Sequence, residues 1–144
     1  VVAVDALTGR QYWRYDHDMP DDLRICCGRN NRGVAILGET LFMSTLDAHL
    51  VAIDARTGNS LWDKEVAPHD SGYSKTAAPL IVKDKVVTGI AGGEFGIRGF
   101  IDAYDPEIAE CSVAKPSHIF LSRPGGSSNG VRGLPRWHGG ARLR

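Results

Sequence analysis

Short strand-like runs of apolar residues alternate with polar turns along most of the chain, and this pattern predicts β-strands rather than helices. Between residues 33 and 62 the runs lie at 34–37, 41–45, 50–54 and 60–63. The segments between them are rich in the residues that form turns, such as Gly38 and Gly58. Three to four short antiparallel strands in one segment are typical of a β-propeller blade.

A block of sequence occurs twice at a fixed spacing. Residues 3–13 read AVDALTGRQYW, and residues 52–62 read AIDARTGNSLW without a gap. Self-similarity at a period of this length predicts stacked repeats. Asp54 is expected to accept backbone N–H groups in a turn, and Gly58 to supply a positive φ. Trp62 is expected to fill the seam between blades and to donate its indole N–H to a neighbouring carbonyl. The same roles are expected one blade earlier for Asp5, Gly9 and Trp13.

A third copy begins at Ala103-Tyr104-Asp105 but has neither the Thr-Gly nor the Trp. We therefore predict an all-β fold over residues 1–106, consisting of a partial β-propeller with about two four-stranded blades plus an edge. An irregular tail is expected over residues 107–144, where arginine, glycine and proline are frequent. Two interpretations of this tail stay open: a frameshift near residues 107–115, or a divergent tail that is disordered. Because the sequence begins inside a repeat, we expect a fragment of a longer protein.

The composition excludes several classes of function. The formal net charge is zero, so no bulk attraction to nucleic acid or anionic lipid is expected. The adjacent Cys26 and Cys27 do not have the spacing of a zinc-binding cysteine pair. The histidines are scattered, and we expect most of them to be solvated on the surface; they are His17, His49, His69, His118 and His138.

The adjacent cysteines are the first unusual feature. Neighbouring Cα atoms lie about 3.8 Å apart, below the range of roughly 4.4–6.8 Å that is usual for disulfides. Two reduced thiols are therefore the default, and a strained disulfide would be retained only where the surrounding structure enforces it, often at a functional site. A disulfide would also imply an oxidising compartment.

The second unusual feature is the segment 91–99, which contains four glycines around Glu94. More glycines than a hairpin needs let the backbone approach something bulky. The alternative is a flexible surface loop in which Glu94 pairs with Arg98.

In combination, these residues resemble the PQQ-dependent quinoprotein alcohol dehydrogenases. The matching stretches are residues 26–35 (CCGRNNRGVA), 72–80 (GYSKTAAPL), 89–105 and the Trp-containing repeat. The resemblance covers residues 1 to about 106. It implies an eight-bladed propeller of which this chain is a part, holding PQQ and a metal ion in its axial funnel; the metal is usually Ca²⁺, with a lanthanide as the alternative.

The resemblance also implies the site residues. Cys26 and Cys27 would form a vicinal disulfide that packs on the PQQ ring. The other residues expected to contact PQQ are Arg32, Thr76, Gly92 and Gly93. Glu94 would be a carboxylate ligand of the metal, which suits a hard cation. Ala91 departs from the pattern, since many members have Ser there. No catalytic residue is expected in this sequence, because the general-base Asp of the family lies downstream.

The implied function is the oxidation of primary alcohols to aldehydes in the periplasm, with electrons passed to a cytochrome c or quinone acceptor. The remaining blades would be required partners, so we expect the chain alone neither to bind PQQ tightly nor to oxidise alcohol. Two alternatives stay open, a non-enzymatic propeller scaffold or interaction module and the product of a decayed gene. The paired cysteines and the Glu94 segment argue against the scaffold.

Overall fold

The computed structural model describes residues 1–26 and 28–116. Its regular elements are ten β-strands and two short 3₁₀ turns, at His69–Ser71 and Gly93–Phe95. Within these residues, no helix has the length and apolar character needed to cross a membrane. The strands are β1 (Val2–Val4), β2 (Gln11–Arg14), β3 (Val34–Leu37), β4 (Thr40–Ser44), β5 (His49–Asp54), β6 (Ser60–Glu65), β7 (Leu80–Val82), β8 (Lys85–Gly89), β9 (Phe100–Tyr104) and β10 (Cys111–Pro116).

The strands form one hairpin and two four-stranded antiparallel sheets. β1 pairs with β2, and we call this hairpin the half-blade. β3-β4-β5-β6 follow one another in the second sheet, the middle blade, and β7-β8-β9-β10 do so in the third, the last blade. Each sheet is a simple meander, the topology of a propeller blade. The prediction of an all-β fold with about two four-stranded blades plus an edge is confirmed.

The middle blade buries both of its faces, because alternate residues of a strand point to opposite sides. On one face, Met43, Val51 and Ile53 pack against Trp13 of the half-blade and against Tyr15, which directly follows β2. The other face packs against the last blade through a cluster formed by Phe42, Leu50, Ala52, Val86 and Tyr104. The strands β4 and β5 are therefore buried over most of their length, whereas the edge strand β3 alternates between exposed and half-buried residues.

The repeat builds the same turn three times. Oδ1 of Asp5, Asp54 and Asp105 accepts hydrogen bonds from the backbone N–H groups two and three residues later, over 2.8 to 3.4 Å. The carbonyl of each aspartate also accepts an N–H from the residue four positions on, which has a positive φ in every copy. The role predicted for the repeat aspartate is confirmed, and the residues with positive φ are Gly9, Gly58 and Ala109.

Each tryptophan of the repeat joins its own blade to the next one. The Trp13 Nε1 donates to the carbonyl of Ala55 over 3.1 Å, and the Trp62 Nε1 donates to the carbonyl of Pro106 over 2.9 Å. A Cβ on Gly58 would lie 2.6 Å from the Trp13 ring, so only glycine lets the indole lie flat on this turn. The predicted seam position and indole hydrogen bond are confirmed.

The third copy of the repeat is more complete than its sequence suggests. Ala109 takes the place of the missing glycine with a φ of 56°, and β10 then pairs with β9 from Cys111 to Pro116. The prediction that the irregular tail starts at residue 107 is therefore wrong for residues 107–116, because the Asp105 side chain organises the turn without Thr-Gly. The predicted tail from 117 onward lies outside the described residues.

Apolar side chains remain exposed on the outer face of the last blade. Leu80, Val82 and Ile101 are 62%, 45% and 51% exposed, and their strand pairing places them on one face. Val2 and Val4 of the half-blade are also exposed. Propeller blades bury such faces against neighbouring blades, so these exposed apolar surfaces resemble the faces that pack between blades.

Candidate functional site

The fold brings together two residues that the sequence predicts at one site. The backbone N–H of Arg32 donates to the carbonyl of Thr76 over 3.0 Å, and the Arg32 Nη1 donates to the Thr76 Oγ1 over 2.6 Å. Asn31 fixes this loop from the other side, since its Nδ2 donates to the carbonyl of Ser44 and its Oδ1 accepts from the N–H of Gly33. Residues 44 apart in sequence thus present a guanidinium and a hydroxyl at the same place.

A second set of contacts joins the Thr76 segment to the glycine-rich segment 91–99. Ser74 and Ala91 exchange two backbone hydrogen bonds, of 3.0 and 2.7 Å. Gly92 has a φ of 120°, and a Cβ there would lie 2.0 Å from the carbonyl oxygen of Gly72. The close approach predicted for this segment is therefore, at Gly92, an approach to Gly72. Three separate stretches, 28–33, 72–78 and 91–96, form one continuous platform.

Glu94 occupies the 3₁₀ turn Gly93–Phe95 of this platform. Its side chain is exposed, and the turn ends at Gly96, which has a left-handed conformation. Among the described residues, no ion pair joins Glu94 to Arg98, so the surface pair considered as an alternative is not formed. An exposed carboxylate on a short turn is available to bind a cation.

The cysteine pair is described at one position only. Cys26 is exposed at the start of the Arg32 loop, and Cys27 lies outside the described residues. The platform therefore contains Arg32, Thr76, Gly92 and Gly93, with Cys26 at its margin.

Lys75 is a buried residue that the sequence reasoning did not identify. It lies next to Thr76, is 1% exposed, and its Nζ has no hydrogen-bond partner among the described residues. Burial lowers the pKa of this amine to about 7, although the charge of Asp102 acts in the opposite direction. Burial likewise raises the pKa of the Asp102 carboxyl. Lysine at a position flanked by small and polar residues gives no pattern that would have indicated burial.

A cluster of histidines and aspartates was also missed. His17 and Asp47 are almost fully buried, and His49 is partly buried beside them. His17 and His49 are therefore exceptions to the expectation that most histidines are solvated. They lie 32 residues apart in sequence, and only the packing of the half-blade on the middle blade brings them together.

The platform and the cluster offer different chemistry. The platform presents a cation, a hydroxyl and backbone groups to an anionic ligand, with a carboxylate nearby for a hard metal ion. A groove at the second seam, lined by residues such as Phe42, Trp62 and Pro106, contains none of the predicted site residues.

Comparison with known proteins places these observations in a family context. A family profile described as the β-propeller domain of PQQ glucose/ethanol/alcohol dehydrogenases matches residues 1–108. The quinoprotein alcohol dehydrogenase PedH of Pseudomonas putida is 53% identical over 117 residues, covering 81% of this chain and 20% of PedH. The 1-butanol dehydrogenase (cytochrome c) of Thauera butanivorans is 45% identical over 112 residues, covering 76% of this chain and 16% of that protein.

A third relative and a solved structure extend the comparison. The quinoprotein ethanol dehydrogenase of Pseudomonas aeruginosa is 46% identical over 145 residues and covers 94% of this chain, so its alignment continues into residues 107–144. A europium-containing methanol dehydrogenase superposes with a TM-score of 0.75 at 38% identity, covering 81% of this chain and 21% of that chain. The chain spans about a fifth of the length of the proteins that it matches.

Proposed function

Because the chain belongs to the family of PQQ glucose/ethanol/alcohol dehydrogenases with a β-propeller domain, we propose that it forms part of a PQQ- and metal-dependent dehydrogenase. The substrates are primary alcohols, the products are aldehydes, and the electrons pass to a cytochrome c or a quinone. A relative named for cytochrome c supports the first of these acceptors. The proposed location of the whole protein is the periplasm.

The observation that supports this proposal best is the direct contact of Arg32 with Thr76. PQQ is an anionic quinone, and a guanidinium held by a neighbouring hydroxyl and backbone carbonyl is already oriented for an acidic or quinone oxygen. The residues therefore fit the cofactor. When bound, PQQ supplies the two-electron acceptor for alcohol oxidation, and the protein supplies orientation and electrostatics.

The other residues of the platform have supporting roles. Gly92 and Gly93 would hold the cofactor edge through backbone groups, and the backbone at Gly92 lies so close to the Gly72 carbonyl that a Cβ would not fit there. Glu94 would bind the metal, either Ca²⁺ or a lanthanide; the europium-containing relative supports the second choice. An exposed carboxylate contributes oxygen donors, which both ions prefer.

We extend the proposal to a disulfide between Cys26 and Cys27. The family resemblance supports this pairing, since the two cysteines are adjacent at the start of the Arg32 loop. A rigid vicinal ring at the margin of the platform would offer a flat apolar surface to the cofactor, and it requires an oxidising compartment.

A chimaera tests this function. Residues 1–108 of this chain replace the matching segment of PedH, and PQQ content and dye-linked alcohol oxidation are measured with Ca²⁺ or La³⁺. We expect an active, PQQ-loaded chimaera, whereas the 144-residue chain alone does not oxidise alcohol. A folded chimaera that binds no PQQ, as judged by circular dichroism and absorbance, contradicts the proposal and favours a non-enzymatic propeller.

Two pairs of variants assign the roles. In the chimaera, Arg32→Ala is expected to weaken PQQ binding at least about tenfold, since a charge-assisted hydrogen bond contributes about 1.5–3 kcal/mol. The matched control is Arg29→Ala, an exposed arginine of the same loop. Glu94→Gln is expected to raise the metal concentration needed for activity, whereas the exposed Glu65→Gln leaves it unchanged.

A further inference from the structure

Four side chains form a closed ring at the seam between the half-blade and the middle blade. The His17 Nε2 lies 2.9 Å and the His49 Nε2 lies 3.9 Å from the same oxygen, Oδ2 of Asp47. On the far side, the His49 Nδ1 lies 2.6 Å from the Asp63 Oδ1, and the His17 Nδ1 lies 3.6 Å from the Asp63 Oδ2. Both imidazoles therefore turn one nitrogen to Asp63 and the other to Asp47.

This arrangement leaves a place for a cation. A neutral imidazole has only one N–H, and the 2.6 Å contact with Asp63 directs the hydrogen of His49 onto Nδ1, so its Nε2 lone pair faces Asp47. The His17 Nε2 lies within hydrogen-bonding distance of the same Asp47 oxygen, and a metal ion would take the place of the hydrogen between them. His17 and Asp47 are only 9% and 5% exposed in their side chains, so water screens this contact poorly.

We propose that His17, His49 and Asp47 bind a divalent transition-metal ion of the Zn²⁺ class. One ligand atom from each of the three residues can be chosen so that all lie within 4.8 Å of one another. Tetrahedral ligands about 2.1 Å from zinc are about 3.4 Å apart, and the two contacts with the Asp47 Oδ2 lie on either side of that value. Small ring movements are enough to admit the ion.

The surroundings have the features of a metal site. Asp63 acts on the His49 Nδ1 as the outer carboxylate that orients histidine ligands in zinc proteins, and the Tyr15 hydroxyl lies 3.4 Å from the His17 Nδ1. The Thr45 hydroxyl donates to the other oxygen of Asp47 and fixes this ligand in turn. Two nitrogen donors favour a borderline ion over Ca²⁺ or a lanthanide, which prefer oxygen. The site is therefore distinct in chemistry from the one proposed at Glu94.

The ion would fasten the first seam. His17 follows β2 of the half-blade, whereas Asp47 lies in the β4–β5 turn and His49 begins β5 of the middle blade. Binding free energy at a site formed only by the packed blades adds to the stability of that packing.

Metal titrations of the 144-residue chain test the proposal, with Co²⁺ as the spectroscopic probe and Zn²⁺ as the competitor. We expect one equivalent of Co²⁺ to give a visible d–d band that Zn²⁺ removes and that excess Ca²⁺ leaves unchanged. His17→Gln and His49→Gln should each weaken binding by at least about 100-fold, and Asp63→Asn by about 10- to 100-fold. His69→Gln is the matched control, since His69 pairs only with the exposed Asp22 among the described residues.

A second measurement does not depend on the variants folding. X-ray absorption at the zinc edge of the loaded wild-type chain should count two imidazole ligands. The proposal is overturned by fewer than two imidazoles, by a band that persists in folded His17→Gln and His49→Gln, or by binding only at millimolar zinc.

Discussion

The two seams of this chain use the same tryptophan contact but differ in what surrounds it. At the first seam, Trp13 lies on Gly58 and the His–Asp ring closes one edge. At the second seam, Trp62 reaches Pro106 beside Ala109, and the interior is an apolar cluster with a buried hydrogen bond between Ser44 and Thr88. Both seams thus contain the same indole hydrogen bond, whereas the side chains around it differ between the two seams.

The difference also shows what the Thr-Gly of the repeat contributes. The third turn forms with Ile108-Ala109 in that place, since the aspartate accepts the same two N–H groups. Glycine at this position is therefore a matter of strain and indole packing rather than of whether the turn exists. Substitutions at the two seams should separate these effects.

The largest effect is expected from removing the indoles. Trp13→Ala and Trp62→Ala should each lower the free energy of unfolding by about 3 kcal/mol, because a large apolar body and a hydrogen bond are lost. Urea unfolding followed by circular dichroism measures the change. The control Trp62→Phe keeps an aromatic ring but removes the indole N–H, and it should cost about 1 kcal/mol. A loss below about 1 kcal/mol for either alanine variant would show that the seams do not depend on the indoles.

Substitutions at the positions with positive φ should change the free energy of unfolding in opposite directions at the two seams: Gly58→Ala lowers it and Ala109→Gly raises it. Gly58→Ala is expected to cost about 2 kcal/mol or more, because φ is +78° and the new Cβ meets the Trp13 ring. Ala109→Gly should instead stabilise by about 1 kcal/mol, because it removes the strain of a positive φ. Gly38→Ala is the control for φ alone, since nothing lies within 4 Å of its Cβ position. Equal signs at Gly58 and Ala109 would contradict the comparison.

Lys75, in the segment before β7, should make the stability of the chain depend on alkaline pH. Its pKa in the folded chain is about 7, below the usual 10.5, so folding removes a proton from the amine between these values. The unfolded chain binds more protons there, and stability should therefore rise from about pH 7 toward pH 10.5. Lys75→Met should abolish this rise and increase stability at pH 7 by about 2 kcal/mol. Unfolding midpoints that rise equally with pH in both proteins would refute the assignment; Lys64→Met, at an exposed lysine, is the control.

The smallest effects belong to the repeat aspartates. Hydrogen bonds from Tyr12 and from the turn lower the pKa of Asp5 to about 2, and backbone hydrogen bonds lower those of Asp54 and Asp105. A depressed folded pKa gives stability that is present above about pH 4 and lost as pH falls through the folded value. Carboxyl titrations by NMR should give all three values below 3.8. An ordinary value at Asp105 alone would show that the third turn is weaker than the other two.

Much of the fold could be predicted because each copy of the repeat forms the same local contacts. The aspartate turn, the seam tryptophan and the alternation of apolar residues are local patterns, and each of them recurs in the structure. β10 was missed because the prediction relied on the letters Thr-Gly rather than on the aspartate that organises the turn.

Only part of the site could be predicted, because only some of its residues belong to a local sequence motif. The motif residues Arg32, Thr76 and Gly92 were identified by family resemblance, and their contacts join one platform. The ring of His17, Asp47, His49 and Asp63 has no spacing to detect, because its members meet only through the packing of two blades.

The seam contact also imposes an order in time. Each indole bonds a carbonyl 42 or 44 residues further along the chain, always in the following blade. At a synthesis rate of roughly 5–20 residues per second, the acceptor emerges from the ribosome roughly 2 to 9 seconds after its donor. The indole hydrogen bond of each blade can therefore form only after the following blade has been synthesised, so the seams form in order along the chain.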